Sequence, residues 1–106
     1  MPQSTDITLE ERGNRYGTFE SQGKISQSFK ETMRNTDNWD RLTCSQKESL
    51  EMVVHKIARI LNGDPNYADS WHDIAGYATL IDQELSPLNL IYNITLCKNQ
   101  KLIIKL

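Results

Sequence analysis

The sequence has little of several features that would assign it to a familiar class of protein. Cysteine occurs only at Cys44 and Cys97 in 106 residues, which is too few for a disulfide framework. Twelve lysines and arginines against fourteen acidic residues give a net charge of −2, so no basic excess can neutralise a row of nucleic-acid phosphates. No run of about 18 apolar residues occurs, which argues against a membrane span. We therefore expect a cytoplasmic protein with free thiols and no general nucleic-acid binding.

Motifs of several common chemistries are absent as well. The sequence has no zinc-ligand spacing and no glycine-rich dinucleotide fingerprint. The first 11 residues have neither a basic start nor an apolar core, so a secretory signal is not expected. The function must therefore be sought in the pattern of the helices.

Apolar residues at helical spacing predict an all-α fold, a small helical bundle. A short helical turn is expected over residues 7–12, because Gly13, Asn14 and Gly17 interrupt the sequence after it. A second helix is expected over residues 19–34. A fourth is expected to begin at Tyr67 or Ala68 and to end at Leu85, before Ser86-Pro87.

The third helix has the clearest start and stop signals. Ser45 followed by Glu48 has capping-box spacing, and Asn62-Gly63 is a natural end because glycine tolerates the left-handed conformation. Six apolar residues between these signals fall within an arc of roughly 120° at ~100° per residue, which predicts one buried face. These residues are Leu50, Val53, Val54, Ile57, Ile60 and Leu61.

The C-terminal residues differ in kind, because they are apolar without a helical period. They predict a hairpin or an exchanged strand. We therefore divide the chain into a helical ligand-binding domain, residues 1–85, and an apolar tail, residues 86–106. In a chain this short, an apolar tail would remain exposed to water unless another surface packs against it, which favours a homo-oligomer.

Two rows of polar side chains suggest a binding site on the third and fourth helices, since residues three or four apart share one side of a helix. If the helices pack antiparallel, the rows flank a cleft. The first row consists of Glu48, Glu51, His55 and Arg59, with Lys56 beside it, and the second of Asp69, Asp73 and Tyr77.

These residue types suit a phosphorylated ligand. Arginine offers phosphate two parallel donors and lysine a compact charge, so Arg59 and Lys56 are the phosphate candidates. Asp69 or Asp73 would accept hydrogen bonds from a ribose or a base. Aromatic cover for the base would come from Tyr77 or Trp71. The alternative is a solvated face, with the basic residues tied to these aspartates by salt bridges.

A second candidate is the stretch from Arg12 to Gly17, which has two glycines and two arginines in six residues. Such a stretch can turn and present guanidinium groups to an anion, so Arg12, Arg15 and Tyr16 join the candidate site. The alternative is a linker between two short helices.

Three segments, ERGNRYG, HKIARILNGDP and ADSWHDIAGYATL, resemble a family of small phage and prophage proteins over about residues 10–85. More distantly, the layout is similar to the all-α nucleoside triphosphate pyrophosphohydrolases of the MazG type. Those enzymes form dimers or tetramers and hold Mg²⁺ with a Glu-x-x-Glu pair on one helix and a Glu-x-x-Asp pair on the next. Glu48 and Glu51 match the first pair. Asp69 and Asp73 depart from the second, because they are one residue farther apart.

The preferred function is binding of a phosphorylated, nucleotide-like ligand without turnover or cofactor. In a phage, such a protein would sequester a nucleotide immune signal in the host cytoplasm. One alternative is a Mg²⁺-dependent nucleoside triphosphate pyrophosphohydrolase that holds the metal with Glu48, Glu51 and Asp73. The changed aspartate spacing favours binding over cleavage, since Mg²⁺ demands near-octahedral geometry. A third reading is a phage inhibitor that binds a host protein.

Overall fold

A computed structural model describes residues 4–87 as four α-helices, with no strand in that range. The helices are α1 (Ser4–Tyr16), α2 (Phe19–Arg34), α3 (Cys44–Asn62) and α4 (Ala68–Leu85), and a short 3-10 helix, Trp39–Arg41, precedes α3. The all-α prediction is confirmed, and the predicted bounds of α2 and α4 agree with the structure. The prediction for the tail falls almost entirely on residues 88–106, which lie outside the described residues.

The start of α3 differs from its prediction. The N-cap is Thr43, whose hydroxyl accepts a hydrogen bond from the Gln46 N–H at 3.1 Å. In return the Thr43 N–H donates to the Gln46 side chain at 2.9 Å. The capping box therefore lies two residues before the predicted pair, Ser45 and Glu48, and that prediction was wrong. The physical reason is that a threonine hydroxyl and a glutamine side-chain oxygen can accept these two hydrogen bonds as well as a serine hydroxyl and a glutamate carboxylate can.

The first helix is longer than predicted. α1 continues through Gly13 and Asn14 to Tyr16, so the expected interruption at Gly13 was wrong. An interior glycine costs a helix only about 1 kcal/mol relative to alanine, which contacts at the end of the helix can offset. The helix stops where Gly17 adopts a φ of 76°, a conformation that favours glycine.

α3 lies between α4 and α2. On the α4 side, the Ser49 hydroxyl donates to the Tyr77 carbonyl at 3.0 Å, and farther along α3 Lys56 Nζ lies 3.1 Å from Asp73 Oδ2. Because the residue numbers rise along α3 while they fall along α4, the two helices run antiparallel.

α2 packs on the other side of α3 and is also antiparallel to it. Arg34 Nη2 lies 3.2 Å from Glu51 Oε1, whereas Gln22, near the start of α2, lies beside His55. α1 packs against both α2 and α3. The helices α2, α3 and α4 thus form a single layer, with α3 in the middle.

The contacts between these helices are made largely by small or polar side chains. Val54 and Ala58 are the only apolar residues buried in the described part of the chain. The buried polar residues are Gln22 and Ser26 on α2, Ser49 and Lys56 on α3, and Ser70 on α4. Small side chains let helices approach closely, but they bury little apolar area.

One side of the layer is apolar and is not covered by any other part of residues 4–87. Of the six residues predicted to form one buried face on α3, Val54 is buried, three are half-buried, and Leu50 and Leu61 are 41% and 62% exposed, so that prediction holds only in part. The reason is that α2 and α4 flank α3 and leave this side open. Within residues 4–87, no helix has the length and apolar character needed to cross a membrane.

Helical periodicity places apolar residues of all three helices on that open side. On α3, Leu50, Ile57 and Leu61 point between the directions taken by the contacts to α4 and to α2. Because the neighbours are antiparallel, the same side of the layer receives Ile74 and Leu85 of α4 and Phe29 of α2. We call this surface the apolar face; it consists of Phe29, Leu50, Ile57, Leu61, Ile74 and Leu85, each exposed or half-buried.

Candidate functional site

The end of α1 is fastened to the end of α3 by hydrogen bonds. The Asn62 side-chain amide donates to the Tyr16 carbonyl at 2.6 Å and to the Thr18 carbonyl at 2.9 Å. We call these two bonds the Asn62 clamp. Beside them, the Asp64 N–H donates to the Arg15 carbonyl. The polypeptide between α1 and α2 is therefore held against the polypeptide between α3 and α4.

Two glycines permit this close approach. A Cβ added at Gly17 would run into Asn62, and a Cβ added at Gly63 would run into the backbone of Arg15 and Tyr16. Gly63 has a φ of −140°, so the predicted left-handed helix end was wrong, and glycine is required there for space instead. The two glycine-containing segments of the sequence thus dock against each other.

Aromatic and cationic side chains stack at this junction. The guanidinium carbon of Arg59 lies 4.4 Å from the centre of the Tyr16 ring, and that of Arg15 lies 4.8 Å from the centre of the Tyr67 ring. The two tyrosine rings meet edge to face at 5.9 Å. Such contacts fix the plane of a guanidinium group. The Tyr67 hydroxyl donates to Asp69 at 2.9 Å, and this bond raises the pKa of Tyr67.

A cavity of about 440 Å³ opens beside this stack, between α1, α2 and α3. We call it the Arg59 pocket. Its volume falls within the range of about 300–1,000 Å³ that is typical of small-molecule sites. Its lining combines the polar side chains of Gln22, His55 and Arg59 with the apolar or aromatic side chains of Leu9, Tyr16 and Phe19.

Arg59 is the only charged side chain among the described residues that line the pocket. Its Nε is buried and has no hydrogen-bond partner in the described part of the chain. A buried donor left unpaired costs about 1–3 kcal/mol, and more when the group is charged. The positive charge of Arg59 makes this corner of the pocket suited to an anionic group.

His55 contributes a polar but uncharged group to the pocket near pH 7. Burial lowers the pKa of His55, and the positive charges of Arg59, Lys56 and Lys30 lower it further. Its Nε2 lies 3.5 Å from the side-chain nitrogen of Gln22. A neutral imidazole has one ring nitrogen that donates and one that accepts, so His55 can exchange hydrogen bonds with a ligand.

The predicted meeting of the two polar rows occurs at one point only. Lys56 is buried and pairs with Asp73, whereas Arg59 turns to Tyr16 and Asp69 turns to Tyr67. The rows diverge because α3 presents Lys56 to α4 but presents Arg59 to α1 and α2.

The remaining predicted residues have other surroundings. The Trp71 indole N–H donates to the Pro65 carbonyl at 2.8 Å. Tyr77 and Asp73 line a separate, more open groove of about 350 Å³ on α4. The side chain of Arg12 lies outside the described residues. Of the predicted ligand-binding residues, the Arg59 pocket therefore brings together Tyr16, His55 and Arg59.

The carboxylates of the magnesium alternative have different neighbours. Glu51 lies 3.2 Å from Arg34, and Asp73 pairs with Lys56. Glu48 lines a groove of about 420 Å³ between α3 and α4. Across residues 4–87, no three His, Cys, Asp or Glu side chains gather closely enough to hold a metal ion. The described residues therefore assemble no set of metal ligands for that alternative.

Six lining residues were not among the sequence-predicted site residues, and three of them, Leu9, Phe19 and Gln22, contribute large side chains. A usable signal existed for one of them, since Gln22 and Ser26 form a polar pair one helical turn apart on α2. Phe19 follows the Gly17-Thr18 turn directly, but nothing in its spacing distinguishes a pocket residue from a core residue.

The described residues define a small all-α domain with one layer of helices and a pocket at the junction of α1, α2 and α3. The chain belongs to the family described as "Domain of unknown function (DUF6378)", whose model matches residues 1–85. No curated protein and no solved structure matches the chain. The matched range contains all four helices, so the Arg59 pocket lies within the domain that defines the family.

Proposed function

We propose that the protein binds a phosphorylated, nucleotide-like ligand in the Arg59 pocket, without turnover. The observation that carries the proposal is the Arg59 side chain on the wall of a 440 Å³ cavity, the one charged side chain of the described lining, with a buried Nε that has no hydrogen-bond partner. A phosphate oxygen would accept hydrogen bonds from the Arg59 guanidinium group, and guanidinium–phosphate pairs are among the strong hydrogen-bonded contacts in proteins.

The other lining residues suit the rest of such a ligand. Tyr16 holds the guanidinium plane of Arg59, so little side-chain freedom would be lost on binding. Gln22 and neutral His55 each offer one donor and one acceptor to a base or a sugar. Phe19, which is 82% exposed at the edge of the pocket, would stack on the base.

The charge of the pocket favours a ligand with a single phosphate group. Arg59 is the one charged side chain of the described lining, and a triphosphate would bring several negative charges to it. The same lining contains no carboxylate that would hold a metal ion between protein and phosphate. Both features support binding over hydrolysis.

In its more specific form, the proposal is that the protein is encoded by a phage and sequesters a nucleotide immune signal in the host cytoplasm. This form rests on the resemblance of ERGNRYG, HKIARILNGDP and ADSWHDIAGYATL to segments of phage proteins. The protein would act as a homo-oligomer whose interface lies on a different surface from the Arg59 pocket.

Isothermal titration calorimetry tests the proposal with nucleosides, nucleoside mono- and triphosphates, and cyclic mono- and dinucleotides. We expect binding of at least one singly phosphorylated or cyclic compound. Arg59→Gln should weaken it by about 1.5–3 kcal/mol, the contribution typical of a hydrogen bond to a charged group. Arg41→Gln is the matched control, since Arg41 is exposed on the short 3-10 helix and should not affect binding. No heat with any compound, or equal losses in both variants, would refute the proposal.

A second measurement decides turnover. The bound compound is incubated with the protein and Mg²⁺ and then recovered for mass spectrometry. We expect it intact. Release of pyrophosphate from a triphosphate, abolished in Glu51→Gln, would replace binding without turnover by the pyrophosphohydrolase alternative.

A further inference from the structure

The layer of α2, α3 and α4 has no second layer among the described residues. Domains are stable when the apolar sides of their elements pack against another layer, because one layer of helices cannot enclose a core. Here the helix contacts bury mainly serine, glutamine and lysine side chains. Several large aliphatic and aromatic side chains remain exposed instead, so part of the apolar area remains to be covered.

The exposure of the apolar face is large for an isolated chain. Leu50, Leu61 and Leu85 are 41%, 62% and 58% exposed, and Phe29 is 40% exposed. Trp71, at the α4 edge of the same side, is 55% exposed. Scattered exposed leucines are ordinary, but a continuous apolar surface across three helices marks an interaction site.

The area of this face matches what a stable interface requires. α3 has 19 residues, so at a rise of about 1.5 Å per residue it is about 28 Å long. Three helices about 8–10 Å apart span a similar width with their side chains, which gives on the order of 800 Å². Specific interfaces bury about 800 Å² on each partner.

We infer that the apolar face of one chain packs against the apolar face of a second copy, so that two single layers form one two-layer helical bundle. This inference is independent of the ligand proposed for the Arg59 pocket. The pocket is built by the other side of α3, which carries His55 and Arg59, and would remain accessible in the assembly.

The composition of the face favours a second copy over another occupant. None of its six residues is charged, so an identical surface meets it without an unpaired buried charge, and a twofold axis makes each copy cover the other. The whole face also lies within residues 1–85, the range that matches the family model. The competing occupant is the apolar tail of the same chain, and the test below distinguishes it, because a face covered by the tail would leave the chain monomeric.

Sedimentation equilibrium of the full chain over a wide range of protein concentration tests the inference. We expect a dimer. Leu61→Ala should weaken association about tenfold, from the apolar burial lost at each copy. Leu61→Glu should weaken it at least about 100-fold, because it would bury a charge. Both variants should keep the far-UV circular dichroism of the native chain at equal concentration, since Leu61 is exposed in the single chain.

Leu80→Glu is the matched control. Leu80 is 57% exposed, like Leu61, but it lines the groove that contains Glu48 and Tyr77 on the opposite side of the layer. It should leave the dimer intact. A native chain that stays monomeric at the highest concentration overturns the inference, as does an oligomer that survives Leu61→Glu or that Leu80→Glu disrupts to the same degree.

Discussion

The Asn62 clamp should contribute measurably to stability, because one side chain holds the two junctions of the fold together. Asn62 donates to the Tyr16 and Thr18 carbonyls, both outside its own helix. Asn62→Ala removes both bonds. At a net value of about 0.5–1.5 kcal/mol for each hydrogen bond, we expect the free energy of unfolding to fall by about 1–3 kcal/mol.

Asn62→Asp sharpens the same test. Aspartate has nearly the size and shape of asparagine, but its ionised carboxylate only accepts hydrogen bonds. It would face two carbonyl oxygens that also only accept. We expect Asn62→Asp to be at least as destabilising as Asn62→Ala, although it fills the same space.

Thermal unfolding followed by circular dichroism measures both variants, with the protein concentration fixed because association shifts apparent stability. For a domain of this size a loss of 2 kcal/mol corresponds to a fall in Tm of about 8–16 °C. Asn38→Ala is the control, since the side chain of Asn38 meets only Arg41 at 3.4 Å on the surface. A loss below about 0.5 kcal/mol for Asn62→Ala, the usual scatter of surface substitutions, would refute the role assigned to the clamp.

Two further predictions concern His55 and the glycines. Because burial and the nearby cations lower the pKa of His55 from 6.5, the unfolded chain takes up a proton first as the pH falls. The free energy of unfolding should therefore decrease as the pH falls below about 6.5, and urea titrations of His55→Gln should show a shallower decrease. Gly63→Ala should cost about 1–3 kcal/mol because its Cβ would meet the α1 backbone. By contrast, Gly23→Ala should stabilise α2 by about 0.5–1 kcal/mol, since nothing lies within 4 Å of its Cβ. If thermal unfolding showed Gly63→Ala to be more stable than Gly23→Ala, the result would contradict the packing described at Gly63.

The bounds of α2 and α4 were predictable because local signals determine them. Leu85 precedes a serine–proline pair, and Phe19 follows a glycine–threonine turn, so the chain itself marks these ends. The end of α1 was not predictable in the same way. Gly13 has a poor helix propensity, but Tyr16 and Asn62 hold the last turn from outside the segment. A long-range contact thus decided a boundary that local propensity left open.

The site was only partly predictable for a related reason. Helical spacing correctly grouped His55 and Arg59 on one side of α3, because that grouping depends on periodicity alone. Which helix lies next to this side of α3 depends on the order of the helices in the layer. The predicted cleft placed this row against α4, whereas the structure turns it toward α1 and α2 and leaves Lys56 to meet Asp73.

The same layer order explains why polar residues are buried while leucines are exposed. Between the helices, serines such as Ser49 and Ser70 take up little space, and the Ser49 hydroxyl is satisfied by a backbone carbonyl. Such contacts fix the alignment of helices but supply little of the hydrophobic stabilisation that folding needs. Covering the apolar face with a second copy, as inferred above, would add to that stabilisation. If two copies pair through this face, the measured stability should rise with protein concentration, because association favours the folded chain.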